Sequence, residues 1–397
     1  MKWIPMSINF LSGDVPCLRA SSVSLKPDDR SCLRGFRESL KNVRKLRLNI
    51  RSNDRNAEEN LNYLLGVMPN VTSLVVRGLP PRLLEHGHIL TKLDLRQTAF
   101  PPDDLIEILR RNAGTLLELI VPLVFETNHL VIEAIASCSK LRNFHMRYHD
   151  FGDDYLALLV RNAPNLTSLD LGCCDRLTDM GVTHIRAIKR LRSLRLSFCR
   201  KLTTDALRNL GAIRSLQHLD LTYTRIWRKG LQSLACLSDL RTLLLTTKMD
   251  SESFNLIVDN FRRLEVLDVG DCSRLTDTEG VKFRLLTCLK ELRFNNGVKF
   301  TDLTFAQGLG SPAMESLGIE RSRLTDAGLA SLAVHHRRLK ALELQECNSV
   351  TDDGLRAFVQ QQPFLGVLRL NRSRLSKRTH DDFKNSCPRL TLVNDRF

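Results

Sequence analysis

The sequence predicts a curved α/β solenoid, with a parallel β-sheet on its concave face and helices on its convex face. Three observations predict it. The pattern L-x-x-L-x-L recurs along nearly the whole chain, and alternation puts the second and third leucines of each copy on one face of a short strand. From Leu116 to Leu390 the first leucines of successive copies stand 24 to 26 residues apart, room for one strand and one returning helix. After several copies a threonine, often followed by aspartate, stands where a helix needs an N-cap. A unit this short cannot bury its apolar face alone, so stacked neighbours supply the cover, and the product is a leucine-rich-repeat solenoid, or horseshoe.

Taken in chain order, residues 1–17 fit no element and stay unassigned, while 18–397 read as a repeat domain of about 15 repeats. Pro5, Ser7, Asn9 and Ser12 interrupt the apolar run at the N-terminus, which argues against a signal peptide. Ala20, Val23 and Leu25 offer a first strand before a helical stretch around Leu33 to Leu40, and Val43 and Val71 anchor the next repeats. Only 19 residues separate Val71 from Leu90, with Pro80, Pro81 and Gly87 between them. That is too short for a full helix and predicts a distorted repeat.

The clearest unit is NLTSLDLGCCDRLTDMGVTHIRAIKR, Asn165 to Arg190. Leu166, Leu169 and Leu171 form its strand and Leu177 turns inward after the loop. Thr178 is the expected N-cap, and Asp179 sits in the first turn, where the helix dipole favours it. The step recurs at Thr203, Thr276-Asp277, Thr301-Asp302, Thr325-Asp326 and Thr351-Asp352. Three residues after the third leucine stand Cys174, Cys199, Cys272 and Cys347, read as buried packing thiols rather than redox or metal groups. In one-residue-shorter loops Thr224, Ser322 or Ser373 takes that place, its hydroxyl expected to bond the backbone. LTLVNDRF at the C-terminus reads as a last short strand closing the core.

Composition narrows the function classes. Hydrophobic residues at 43% and charged residues at 26% are those of a folded chain, and no run of eighteen apolar residues offers a membrane span. An odd count of 11 cysteines without a CxxC pair reads as reduced intracellular thiols, which places the chain in the cytoplasm with the nucleus left open. No Walker loop, GxGxxG or HExxH is present, so neither an enzyme nor a cofactor is expected. His145 and His149 stand in a strand and loop, where their spacing does not converge on a metal, so no metal site is expected. The net charge of +15 peaks between Arg186 and Lys201, with seven basic residues and no acidic one. Three of the seven, Arg186, Lys189 and Arg190, fall on the outer helix or its end and no nucleic-acid fingerprint accompanies them, so the charge points away from nucleic acid. An acidic or phosphorylated protein segment suits it better.

The stretch NAPNLTSLDLGCCDRLTDMG, 162 to 181, with its cysteine and Thr-Asp step, resembles the cysteine-containing repeats of the F-box/LRR family. In that family an N-terminal F-box helical domain docks on the Skp adaptor of a cullin-RING ubiquitin ligase, and the repeats capture the substrate. The resemblance implies the substrate-recognition part of an SCF-type ligase in ubiquitin-dependent protein degradation, with protein partners. The chain departs from the family at its start, where no helical segment opening with Leu-Pro precedes the first candidate strand. A truncated gene, an isoform without the adaptor-binding module and a repeat-only member are the three explanations, of which the first is favoured. Skp adaptor and cullin are expected partners only with an F-box upstream; the alternative is a leucine-rich-repeat scaffold or regulatory protein with no ligase link.

Fifteen strands at about 4.8 Å spacing give an inner surface roughly 70 Å along its arc, which suits a protein partner better than a small molecule. At the central strand position Asp170, Arg195 and Asp220 alternate in charge and are expected to satisfy one another. Two residues after the third leucine, at the strand-to-loop rim, stand Tyr148, Phe198 and Tyr223. With Arg147, Arg195 and His218 they have the composition of a partner-binding hot spot, and Trp227 belongs to the same neighbourhood. The other reading tucks these rings under the loops as core.

Overall fold

The computed structural model describes residues 17–20, 40–50, 63, 65–78, 87–98, 101–122, 128–148, 150–224, 228–371, 376–387 and 389–393. They fall into two units, 1–191 and 192–397.

In the first unit each copy of the leucine pattern becomes one strand: β1 (Cys17–Ala20), β2 (Lys45–Ile50), β3 (Ser73–Gly78), β4 (Lys92–Thr98), β5 (Glu118–Ile120), β6 (Asn143–His145) and β7 (Ser168–Asp170). Successive strands pair in parallel, in a register that aligns the second inward position, Leu93 with Leu119, Leu119 with Phe144 and Phe144 with Leu169. Of the strand expected at Ala20, Val23 and Leu25, Ala20 lies in β1, which is described from Cys17 to Ala20. Val23 and Leu25 lie outside the described residues, as do Pro80 and Pro81. What is seen of the distorted repeat is a register shift between β3 and β4 at Val75 to Arg77. The returning segments are α1 (Pro102–Arg111), α2 (His129–Ser137), α3 (Asp153–Asn162) and α4 (Asp179–Ile185).

The second unit repeats the plan. Its strands are β8 (Ser193–Arg195), β9 (His218–Asp220), β10 (Thr242–Leu244), β11 (Val266–Asp271), β12 (Glu291–Asn295), β13 (Ser316–Glu320), β14 (Ala341–Gln345), β15 (Val367–Asn371) and β16 (Thr391–Val393), each parallel to the next. The closing strand read from LTLVNDRF is β16. Helices α5 (Thr204–Gly211), α6 (Ser251–Asn260), α7 (Asp277–Gly280), α8 (Asp302–Gln307), α9 (Asp326–His335), α10 (Asp352–Gln360) and α11 (Lys377–Ser386) return the chain. Two outer segments, Arg228–Leu234 and Val281–Leu285, tighten to 3-10 helix. The first of these presses so close to α5 that a Cβ on Gly211 would sit 1.9 Å from the Ser233 carbonyl oxygen.

The leucines facing the helices are fully buried, as Leu169, Leu171 and Leu177 illustrate, and so are the helix residues that meet them, such as Val182 and Ile185. Each such side chain contributes about 1.5–3 kcal/mol by leaving water. Around β12 phenylalanine takes over the leucine positions. Phe254, Phe283, Phe294, Phe300 and Phe305 are all buried, with Phe294 edge-on to Phe300 at 5.2 Å and stacked on Phe283 and Phe305 at 6.2 Å. Cys174, Cys199, Cys272 and Cys347 are buried too. The Cys174 thiol donates to the Met146 carbonyl of the preceding repeat at 3.3 Å, and burial pushes the Cys272 and Cys347 thiols up, so they pack as protonated groups. In the shorter loops Thr224 donates to the Leu221 carbonyl at 2.7 Å and Ser322 accepts from the Leu324 N–H at 3.3 Å. Ser373 lies outside the described residues.

All six threonines expected as N-caps accept a first-turn N–H of their helices. The aspartate that follows does more than complement the dipole. Asp277 accepts from the Thr301 N–H at 2.9 Å and its hydroxyl at 2.7 Å, and Asp302 and Asp326 bind Thr325 and Thr351 of the following repeat in the same way. In the first unit Asp153 does so for Thr178. Each carboxylate therefore fixes the cap of the next helix, a ladder of charge-assisted bonds between repeats. The ladder explains the glycine three residues after the cap. A Cβ on Gly328 or Gly354 would stand 2.3 or 2.0 Å from the carboxylate of Asp302 or Asp326.

Candidate functional site

Seven of the described strands lead out through a left-handed residue. Tyr148, Cys173, Phe198, Tyr223, Asn296, Arg321 and Glu346 all have φ between 52° and 64°, and each stands two residues after the third inward position. Asparagine tolerates this region; tyrosine, phenylalanine and arginine occupy it at a cost of about 1–2 kcal/mol. The following repeat helps to hold the turn in place. Tyr148 N–H donates to the Gly172 carbonyl at 3.0 Å, Phe198 N–H to the Thr222 carbonyl at 2.8 Å and Arg321 N–H to the Gln345 carbonyl at 2.9 Å. The sequence located this rim but not its conformation, because only Asn296 is a residue type that announces it.

The left-handed turn throws the side chain away from the core. Tyr148 is 58% exposed and Tyr223 59%, while Phe198 is half-buried. In the first unit the Arg147 guanidinium lies 5.5 Å from the centre of the Tyr148 ring. Arg147 Nε is also 3.7 Å, and His145 Nδ1 3.6 Å, from the buried Asp170 carboxylate. Burial opposes the charge on Asp170, but His145, the Gly172 N–H and Arg147 outweigh it and hold the carboxyl below its ordinary value.

In the second unit Phe198 and Tyr223 stack, their centroids 4.3 Å apart and their planes at 20°. Arg195 and His218 are exposed on the adjacent strands β8 and β9. His218 Nδ1 is 2.9 Å from Thr242 Oγ1. Burial, helped by the charges of Arg195 and Arg241 and opposed by Glu265, holds the imidazole below its ordinary pKa. Glu265 in turn accepts from both Arg241 and Lys290, at 2.5 and 2.6 Å. In the loop beyond Phe198, Arg200 and Lys201 are exposed and have no ion-pair partner among the described residues. Of the residues singled out from the sequence, then, Arg147 meets Tyr148 in one unit, and Phe198 meets Tyr223 in the other with Arg195 near His218. Trp227 lies outside the described residues.

The central-row aspartates close their own turns. Asp170 accepts from the Gly172 N–H at 3.1 Å, and Asp220 from the Thr222 N–H at 3.0 Å and its hydroxyl at 2.7 Å. At β11 the strand runs on to Asp271, which takes the turn bond from the Ser273 N–H at 3.0 Å. Asp268 is left with a buried Oδ1 that has no hydrogen-bond partner among the described residues. Burial, opposed by Arg293 and reinforced by Glu291, Asp220 and Glu343, pushes its pKa from 3.8 up to about 6. A carboxyl raised on folding costs stability above its folded pKa and regains it as pH falls toward the unfolded value. Asp268→Asn is therefore expected to stabilise the chain by roughly 1–2 kcal/mol at pH 7.5, with the gain fading as pH falls from about 6 to about 4, as urea unfolding at either end of that range will show.

The family described as Leucine Rich repeat matches residues 162–185, 212–235 and 335–359. The chain contains leucine-rich repeats, the architecture of protein-binding modules. No curated protein matches the chain. Among solved structures it is similar to the complex of Rad7 and Elc1 from yeast, at 17% identity over 91% of this chain and 77% of that one, with a TM-score of 0.46. It is also similar to an internalin from Listeria monocytogenes, at 16% identity over 91% of this chain and 89% of that one, with a TM-score of 0.47. Among the described residues no helix is long and apolar enough to cross a membrane.

Proposed function

We propose that these repeats are the substrate-recognition part of an SCF-type cullin-RING ubiquitin ligase acting in ubiquitin-dependent protein degradation, and that they work by binding rather than by catalysis. The observation that carries the reading is the repeat subclass. Cys174, Cys199, Cys272 and Cys347 stand buried at one repeat position and Thr-Asp caps at another, the combination that resembles the F-box/LRR family. Exposed Tyr148 beside Arg147 in the first unit, and exposed Tyr223 with Arg195 and His218 in the second, are the aromatic and cationic side chains that protein-binding surfaces favour. In this reading the Skp adaptor and cullin are partners only if a helical F-box module is joined upstream of these repeats.

The test has two steps. Reading the transcript upstream of Met1 is expected to reveal an in-frame helical module opening with Leu-Pro, and the full product is expected to co-precipitate the Skp adaptor. A transcript that starts at Met1, together with a product that recovers no adaptor, would instead leave a repeat scaffold without a ligase link.

A further inference from the structure

The edge of the second unit, where strands β8 and β9 pass into their loops, combines two features that no requirement of folding explains. The first is the Phe198–Tyr223 stack. Both residues occupy left-handed turns, at φ 60° and 55°, where a smaller asparagine or glycine would fold with less strain. Tyr223 leaves most of its ring in water. The second feature is charge. Arg200 and Lys201 flank the stack in the loop and Arg195 and His218 precede it on the strands, all four exposed. In the same row Asp220 Oδ1 accepts from the Thr222 N–H and hydroxyl.

Resting on the reading of this chain as a protein receptor, we propose that this edge docks an extended partner segment carrying aspartate or glutamate side chains, with an aromatic residue of that segment laid on the Phe198–Tyr223 platform. Charge complementarity argues for an acidic occupant, since the exposed Arg200 and Lys201 follow Phe198 in the same loop. Carboxylates are favoured over a phosphorylated residue by the state of the backbone. A phosphate site is ordinarily completed by converging N–H groups. Here the Phe198 N–H donates to the Thr222 carbonyl, the Cys199 N–H to the Leu196 carbonyl and the Tyr223 N–H to Thr246 Oγ1 at 2.6 Å. The N–H groups at the rings are thus taken, and the side-chain charge of Arg200 and Lys201 sits on long flexible stems, suited to several carboxylates spaced along a strand.

An array of dodecapeptides, each with a central phenylalanine flanked by glutamate, phosphoserine, glutamine or lysine at every position, tests the proposal directly against the full chain, with oligouridylate as a separate probe. Glutamate peptides are expected to bind about tenfold or more tightly than glutamine peptides, and binding to weaken as salt rises. Tyr223→Asn with Phe198→Asn is expected to remove about tenfold or more of that affinity while leaving the thermal midpoint unchanged or higher, since asparagine accepts the left-handed turn. Arg200→Glu with Lys201→Glu, two surface changes, is expected to reverse the preference toward lysine peptides. Tighter binding of phosphoserine peptides or of oligouridylate, equal binding of glutamine peptides, or no binding to any peptide would each overturn the proposal. None of these outcomes depends on the Skp adaptor, so the ligase reading and this one fail separately.

Discussion

Phe294→Ala is expected to cost the second unit about 3–5 kcal/mol of stability, the largest loss of any single truncation considered. Phe294 stands on β12 with its ring against Phe283, Phe300 and Phe305, and it is only 1% exposed. Removing it leaves a void among side chains that cannot all collapse inward, because they are anchored on strand, loop and helix of adjacent repeats. The loop after β12 is tied to the same ring. A Cβ on Gly297 would stand 2.8 Å from Phe294 and 2.9 Å from Phe300, so the turn is shaped around the two phenylalanines. Repeats exchange their apolar faces only with neighbours, and a void here is felt at both adjoining interfaces. Phe294→Leu keeps most of the volume and is expected to cost under about 1.5 kcal/mol. Urea unfolding followed by circular dichroism measures both; a loss below about 1 kcal/mol for the alanine variant would mean that the phenylalanine cluster is not packed as described.

The second large effect is expected at the ladder between repeats. Asp277 accepts from the Thr301 N–H, the Thr301 hydroxyl and the Thr304 hydroxyl at 2.9, 2.7 and 2.5 Å. Asp277→Ala removes a charged acceptor from three donors at once and is expected to cost about 2–3 kcal/mol at pH 7. The pH dependence separates this cause from simple packing. Burial opposes the Asp277 charge, but the bonds from Thr304 and Thr301 prevail and hold its pKa below 3.8. A carboxyl depressed on folding contributes stability above its unfolded pKa and loses it as pH falls through the folded value. The gap between wild type and Asp277→Ala should therefore be full at pH 6 and narrow progressively below about pH 4. A gap that stays constant down to pH 3 would contradict the ladder as a charge-assisted contact.

Most of the fold was legible because its signals are local and repeated. The period of L-x-x-L-x-L places β5 to β16 with little ambiguity, and a threonine before a helix is its own explanation at Thr178, Thr276 and Thr325. What escaped were contacts that join one repeat to the next. Thr-Asp-x-Gly reads as a cap and a dipole partner within one helix; only the stacked neighbours show that the aspartate belongs to the following threonine and that the glycine makes room for it. The start of the first strand was less legible for the opposite reason, since Cys17–Ala20 has no leucine periodicity of its own and is placed by pairing with β2.

The candidate site was half legible. Counting from the third leucine finds Tyr148, Phe198 and Tyr223, and the count alone cannot say whether the rings point inward or outward. The backbone decides it. A left-handed residue at each turn carries Tyr148 and Tyr223 out to the rim, and the same geometry at Arg321 and Glu346 shows that it belongs to the repeat rather than to a particular ligand. The repeats therefore differ in which side chain each presents there. Asp268 was the other surprise. Its row position matches Asp220, but the longer strand at β11 passes the turn bond to Asp271 and leaves Asp268 without it.

The central claim is that partners are met at the rim and on the sheet face opposite the helices. Site-specific photo-crosslinking tests it most directly, with p-benzoylphenylalanine placed at Tyr223 in one preparation and at Val334 on helix α9, 57% exposed, in another. The account predicts crosslinked protein adducts from position 223, lost when Phe198→Asn is added, and none above background from position 334. Adducts from 334 with none from 223 would contradict it.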